Sequence, residues 1–289
     1  MAAPSIMDQL HLQAYFLSMV RVGAWLAILS VIFVPLEWLF PVRPQPIFRK
    51  SLPADLAFFC LNNFIPPLLL AIPLSIAAYA AFHLVPGRLH ATVAAWPLWV
   101  RGLAGFVVAD LGFYWGHRWA HQIPFLWRFH SVHHNPEQIY FLISARAHPV
   151  DNAFIRLCGL VLIYVTGLGA PQSVQGTMLA TLLMLATTIW GFFIHANVRW
   201  RLGPFEWLLA TPAFHHWHHT LSDHRDHNFA SMLPCWDWLF GTSYLPRHWP
   251  AAYGNEEKLA DSVVEQLAYP FLPPSRRPPS PQPAAMEPR

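Results

Sequence analysis

The sequence predicts an all-α protein: a polytopic membrane helical bundle of three long spans plus a helical hairpin, with a cytoplasmic helical cap holding a His-rich dimetal site. Three observations lead there. The chain is 55% hydrophobic and only 11% charged, where a soluble domain carries about a quarter charged residues. Its apolar residues gather in runs that match the ~20 residues a membrane-crossing helix needs. And 13 of its 17 histidines fall between His117 and His227, most of them three or four residues apart.

Ala14–Phe40 is the first span, with Arg21 near its start and Glu37 near its end. The N-terminus lacks the basic region and nearby cleavage site of a signal peptide, so this segment reads as retained. Leu56–Leu84 is the second. Its Pro66, Pro67 and Pro73 are expected to kink or break it, because proline removes a helical N–H and crowds the preceding turn. The third runs from about Ala94 to Tyr114 and flows into His117. Ala153–Leu168 and Val174–Ile194, joined at Gly169-Ala170-Pro171, form the expected hairpin. The tail from Pro273 to Arg289 is rich in Pro, Ser and Arg and cannot form a packed core. The chain thus divides into membrane-anchor helices (1–108), a His-rich catalytic region that includes the apolar hairpin 153–194 (109–250), and a C-terminal segment with a disordered tail (251–289).

Charge sets the expected orientation. Arg43, Arg49 and Lys50 follow the first span, and no Lys or Arg precedes Arg21. The positive-inside rule then makes that loop cytoplasmic. Counting spans puts the histidine clusters, with Arg118, Arg128, Arg146, Arg199 and Arg201, on the same side. A short chain poor in loops fits a bacterial inner membrane. The net charge of +3 is small and dispersed, which argues against a nucleic-acid partner. Cys60, Cys158 and Cys235 lie far apart with no CxxC, which argues against a disulfide framework, a zinc ribbon or a built-in iron–sulfur cluster.

The histidines carry the chemistry. His117-Arg-Trp-Ala-His121 is an HxxxH; His130-Ser-Val-His133-His134 and His215-His216-Trp-His218-His219 are each an HxxHH. On a helix, residues three and four apart share a face, so each cluster aims two or three imidazoles at a common point. Neutral imidazole offers a lone pair suited to Zn, Cu, Fe or Ni. Eight such ligands exceed one ion's needs, and the sequence therefore proposes two metals. His216 should point away from its neighbours' face. His195, after the last apolar run, is a candidate ninth ligand. Asp110, seven residues before His117, His148, Asp226 and Asp237 are candidates to orient a ligand's second N–H. His224 and His227 are second-layer or merely solvated, and His11, His83, His90 and His248 read as structural. Ligand type alone leaves iron and zinc both open.

Two other readings compete with an oxidative enzyme. A membrane metal-binding or transport protein would place its ligands within the spans, near mid-bilayer. A zinc-dependent membrane hydrolase would show HExxH or a carboxylate base beside its ligands. Neither pattern is present.

Taken together, these motifs resemble the fatty acid hydroxylase/sterol desaturase superfamily, from about Asp110 to Leu245. The likeness rests on the three histidine boxes, on Arg146-Ala-His-Pro149 and on the closing Trp236-Asp-Trp-Leu-Phe-Gly-Thr242. Gln122, where some members are acidic, and Ala230, where many carry Gly, depart from it without removing a ligand. The resemblance implies an integral-membrane, non-haem di-iron oxygenase that uses O2 to hydroxylate, desaturate or cleave a lipid such as a fatty acyl chain or sterol. It assigns His117, His121, His130, His133, His134, His215, His218 and His219 as iron ligands, with His195 as the ninth. It also implies a separate electron donor, a ferredoxin or cytochrome b5-like protein, since the chain has neither a GxGxxG nor a cysteine cluster of its own.

Overall fold

The computed structural model describes residues 6–168, 174–222 and 224–273. Their order is α1 (Ile6–Leu39), α2 (Leu52–Leu84), α3 (Gly87–Ala94), α4 (Leu98–Gln122), α5 (Pro124–His134), a 3-10 turn (Phe141–Ala145), α6 (Pro149–Val165), α7 (Val174–His195), α8 (Pro212–His218), α9 (Cys235–Leu239) and α10 (Val263–Ala268). Among the described residues the only strand-type pairing is an isolated bridge between Thr220 and Tyr253.

Among the described residues three helices are long and apolar enough to cross a membrane: Gln13–Leu39 of α1, Leu52–Leu84 of α2 and Met178–His195 of α7. The expected third span at 94–114 is not one of them. It falls on α3 and α4, and α4 carries Arg101, Asp110 and Arg118 along its length. Nor does α2 break: it runs unbroken through Pro66, Pro67 and Pro73. Each ring deletes one N–H, and membrane helices tolerate such losses where neighbouring groups satisfy the freed carbonyls.

The expected hairpin opens into two helices with different neighbours. α6, only 17 residues long, lies along α4 and α2, whereas α7 packs on the 3-10 turn and α8. The joint at 169–173 and the tail from 274 onward lie outside the described residues. Small residues let α4 and α6 come close. A Cβ on Gly112 would meet the Cys158 carbonyl oxygen at 2.5 Å, and one on Gly159 would meet the Phe113 ring at 2.5 Å. Such contacts let backbones approach where side chains would hold them apart. The consequence is positional: the C-terminal turns of α4, bearing His117 and His121, lie beside the N-terminus of α6, bearing Asp151.

The principal apolar core joins Leu29 and Phe33 of α1, Phe59 of α2, Phe141–Ile143 of the turn and Phe192 of α7. It forms the floor beneath the histidines.

Candidate metal centre

Local sequence decides how each helix presents its histidines. Pro124 starts α5 in its first turn, where a missing N–H costs nothing, and the helix ends on His133 and His134. Thr211 caps α8 by accepting from Phe214 N at 3.3 Å, and Pro212 again fills the first turn. α4 delivers His117 and His121 one turn apart at its end, and His195 is the last residue of α7.

These segments converge on two adjoining groups. His117, His121, His130, His134 and His218 form one, and His133, His195, His215 and His219 the other; within each, the ligand atoms lie within 4.8 Å of one another and every residue is buried. All nine histidines proposed from the sequence are therefore brought together. The clusters do not each serve one point, however. Both HxxHH motifs split: the i, i+4 pairs His130/His134 and His215/His219 stay together, while the i+3 members His133 and His218 cross to the opposite group. The groups abut through stacked His134 and His219, whose ring centroids are 4.4 Å apart.

The outer nitrogens explain why these rings can coordinate. His117 Nδ1–H donates to the Phe229 carbonyl at 2.7 Å, His133 to that of Arg146 at 3.0 Å, His195 to that of Gly191 at 2.7 Å and His218 to that of His227 at 2.8 Å. His121 donates to the Asp226 carboxylate at 2.9 Å and His130 to that of Asp151 at 3.0 Å. A carbonyl only accepts, so Nδ1 holds the proton and the neutral ring presents a bare lone pair at Nε2. Burial keeps the rings neutral by pushing His117 and His130 down to about 3 and His133 to about 4. His121, His134, His215, His218 and His219 are held well below the ordinary range by the same burial and by one another.

The inner nitrogens then conflict. His117 and His130 bring Nε2 atoms to 3.2 Å, and His133 and His195 do the same at 3.2 Å. In each of these pairs both Nδ1 atoms already donate, so two lone pairs face each other. His218 Nε2 is buried with no hydrogen-bond partner. A cation between the rings resolves both problems, and imidazole suits Fe and Zn alike. The residues fit a two-metal centre.

The supporting candidates sort differently. Asp226 does contact a clustered histidine. Asp237 acts one step further out: its carboxylate accepts from Phe229 N and Ala230 N, each at 2.8 Å, and from the Thr242 hydroxyl at 2.7 Å. It thereby fixes the carbonyl that His117 uses. Asp110 accepts from Leu233 N at 3.0 Å rather than from an imidazole. His148 caps α6, accepting from Val150 N at 3.2 Å, and its other nitrogen faces the Leu267 carbonyl. His216 turns away from its neighbours to Tyr253 and the Ala196 carbonyl, and His224 stacks on Tyr244.

Sequence reasoning missed Asp151 and every carbonyl acceptor. Asp151 is buried, and burial raises its carboxyl to about 6 despite the nearby histidines. An acid in the first turn of a largely apolar helix was the available signal. Also missed were three braces from the membrane helices. Glu37 accepts from Phe141 N at 2.7 Å and Asn197 N at 3.0 Å. Asp55 pairs with Arg146 at 2.7 Å, and Asn62 donates to the Ala145 and Ala147 carbonyls at 3.0 and 2.8 Å.

With a buried, histidine-lined candidate metal centre in view, comparison with known proteins becomes informative. The fatty acid hydroxylase family model matches residues 102–242, which contain all nine histidines. Over that stretch, just under half of its length, the chain is similar to the fatty acid hydroxylase family. It is similar to ornithine lipid hydroxylase OlsE of Rhizobium tropici, 34% identical over 61% of this chain and 52% of that protein. Alkylglycerol monooxygenase of Danio rerio is 33% identical over 62% of this chain and 38% of its own length. Methylsterol monooxygenase 2-2 of Arabidopsis thaliana is 30% identical over 59% and 63%. The matches thus span 38% to 63% of the length of these relatives. No solved structure matches.

Proposed function

We propose that this protein hydroxylates or desaturates an unactivated carbon of a membrane lipid, an acyl chain or sterol-like molecule, with O2 at a di-iron centre held by the nine histidines. The observation that carries this reading is the pair of adjoining, buried, all-imidazole groups, one of which includes His195 at the end of a candidate membrane-spanning helix. Relatives named for lipid hydroxylation and monooxygenation agree with it. Zinc has no redox chemistry, so oxidation requires a redox-active metal in these groups, which we take to be iron. Two bound irons would supply the reduction of O2 by two electrons and the removal of hydrogen from carbon. For hydroxylation the balance is RH + O2 + 2 e− + 2 H+ → ROH + H2O.

The chain's own residues do the rest. His117, His121, His130, His134 and His218 hold one ion, and His133, His195, His215 and His219 the other. No carboxylate is among these residues, so the bound ions would keep their full charge. The backbone carbonyls, Asp151 and Asp226 lock His117, His121, His130, His133, His195 and His218 in the coordinating tautomer. Phe214, Phe229 and Ile194, all buried, exclude water from the region. Electrons come from a separate redox protein, for which the basic residues near the site, taken as cytoplasmic, offer a docking face.

Anaerobic purification, elemental analysis and Mössbauer spectra of an iron-57-grown sample test the reading. Two irons per chain in a coupled cluster, with O2-dependent oxidation of added lipid by a reductase-driven sample, are expected. Two zincs retained after iron-replete expression would overturn the redox chemistry, and metal-free folded protein would overturn the centre itself.

A further inference from the structure

Between α1, α2 and the 3-10 turn lies a chamber of about 210 Å³ that the metal centre does not use. Most of its wall is apolar, from Leu26, Val34, Leu56 and Leu142 among others. Trp38 and Ile47 also line it, and they and the adjoining Phe48 stand exposed on the outer surface, Phe48 at 87%. The chamber lies between two candidate spans, so what reaches it comes from the bilayer.

Two charged side chains line this wall without pairing. Glu37 uses Oε1 for the two backbone amides of Phe141 and Asn197, which leaves its second oxygen free to accept. Arg49 lies over the Tyr140 ring at 3.7 Å and donates from its terminal nitrogen to Gln45. Its Nε–H is buried with no acceptor. Among the described residues no ion pair joins Glu37 to Arg49. A buried donor left unmade costs ~1–3 kcal/mol, so a ligand that satisfies it is favoured.

We propose that this chamber binds the polar head of a lipid that carries no net charge but offers both a donor and an acceptor. The donor meets the free Glu37 oxygen, and a carbonyl or carboxylate oxygen meets Arg49 Nε–H. An anionic head would face the Glu37 carboxylate, and a cationic one the Arg49 guanidinium. The volume is below the ~300–1,000 Å³ of pockets that enclose whole small ligands. The chamber therefore takes the head and the first few methylenes, and the chain stays among the spans. Phe141 and Leu142 on its wall precede Arg146, whose carbonyl orients His133, and Asn197 follows His195 by two residues. The head thus docks beside the four-histidine group. That the bound lipid is also the one oxidised rests on the function proposed above.

Native mass spectrometry of the metal-loaded protein in detergent, titrated with lipids of one chain length, tests this directly. The probes are monooleoylglycerol, zwitterionic Nα-oleoylornithine and the oleate anion. Either or both net-neutral probes should bind at least tenfold more tightly than oleate. Arg49→Ala, Glu37→Gln and Ser30→Trp, which fills the chamber while keeping both charged groups, should each weaken that binding at least tenfold at unchanged metal content. Oleate binding as tightly as the neutral probes, or neutral binding indifferent to Ser30→Trp, would overturn the proposal. Specific binding without oxidation of the bound lipid leaves the chamber standing and counts against the oxygenase reading alone.

Discussion

The five-histidine and four-histidine groups share α5 and the 215–219 motif, but α4 serves only the larger and α7 only the smaller, and different parts of the molecule hold them. The larger group leans on α6 and on residues 226–229: Asp151 and Asp226 carboxylates and the Phe229 and His227 carbonyls take its outer N–H groups. The smaller group leans on the membrane helices. His133 donates to the Arg146 carbonyl, which Asp55 and Asn62 of α2 hold in place from either side, and His195 donates within α7 itself. In the smaller group His215 and His219 have Nδ1 atoms that are buried without a partner; in the larger, only His134 does. One metal position is thus richly supported and carboxylate-tuned. On the function proposed above, the other would have one ligand fewer, and its supports come from α2 and α7, two candidate membrane spans.

The largest expected effect follows from that count. Removing one of four ligands leaves three, and removing one of five leaves four. His195→Ala should empty its position, bringing metal content from two per chain to one and reducing turnover at least a thousandfold. His218→Ala should retain close to two metals with weaker binding. Elemental analysis of both variants decides, and equal losses would erase the distinction between the groups. Next in size is Asp55→Ala. It strands the buried Arg146 guanidinium, which typically costs ~3–5 kcal/mol. Thermal unfolding should show the loss, and metal content should fall from the four-histidine group first. A stable variant with both metals would mean that α2 does not brace that group.

The sequence made the nine histidines legible because their spacing is a local property of a helix. It did not show how they divide. At about 100° per residue, positions i, i+3 and i+4 spread across one broad face. They can therefore serve two points as readily as one, and only the tertiary crossing of α4, α5, α7 and α8 decides between them. The carbonyl acceptors were silent because every residue carries one. Asn62 was hidden inside a run read for its hydrophobicity alone, Asp55 sits just ahead of that run, and Glu37 was read only as marking the end of the first. Within 94–114, a stretch read for its apolar residues, Gly112 meets α6 and Asp110 accepts from Leu233 N, contacts that hydropathy does not show.

The smallest expected effect compares the two carboxylates of the larger group. Both accept an N–H from a metal-binding imidazole at nearly the same distance, so contact alone gives them equal weight. Their surroundings do not. The Asp151 side chain is 3% exposed, whereas that of Asp226 is 42% exposed. When Asp151 is lost, His130 Nδ1–H is left in a space closed by α4 and α6, and the tautomer is no longer fixed. Loss of such a support typically weakens metal binding 10–100-fold, so Asp151→Ala should fall in about that range. When Asp226 is lost, water reaches His121 and accepts in its place at little cost. Asp226→Ala should therefore weaken binding by less than about tenfold. Chelator competition against each variant, reading release of the first metal, measures both. Equal weakening would show that exposure does not set the worth of an outer ligand here, and that charge beside the five-histidine group matters wherever it sits.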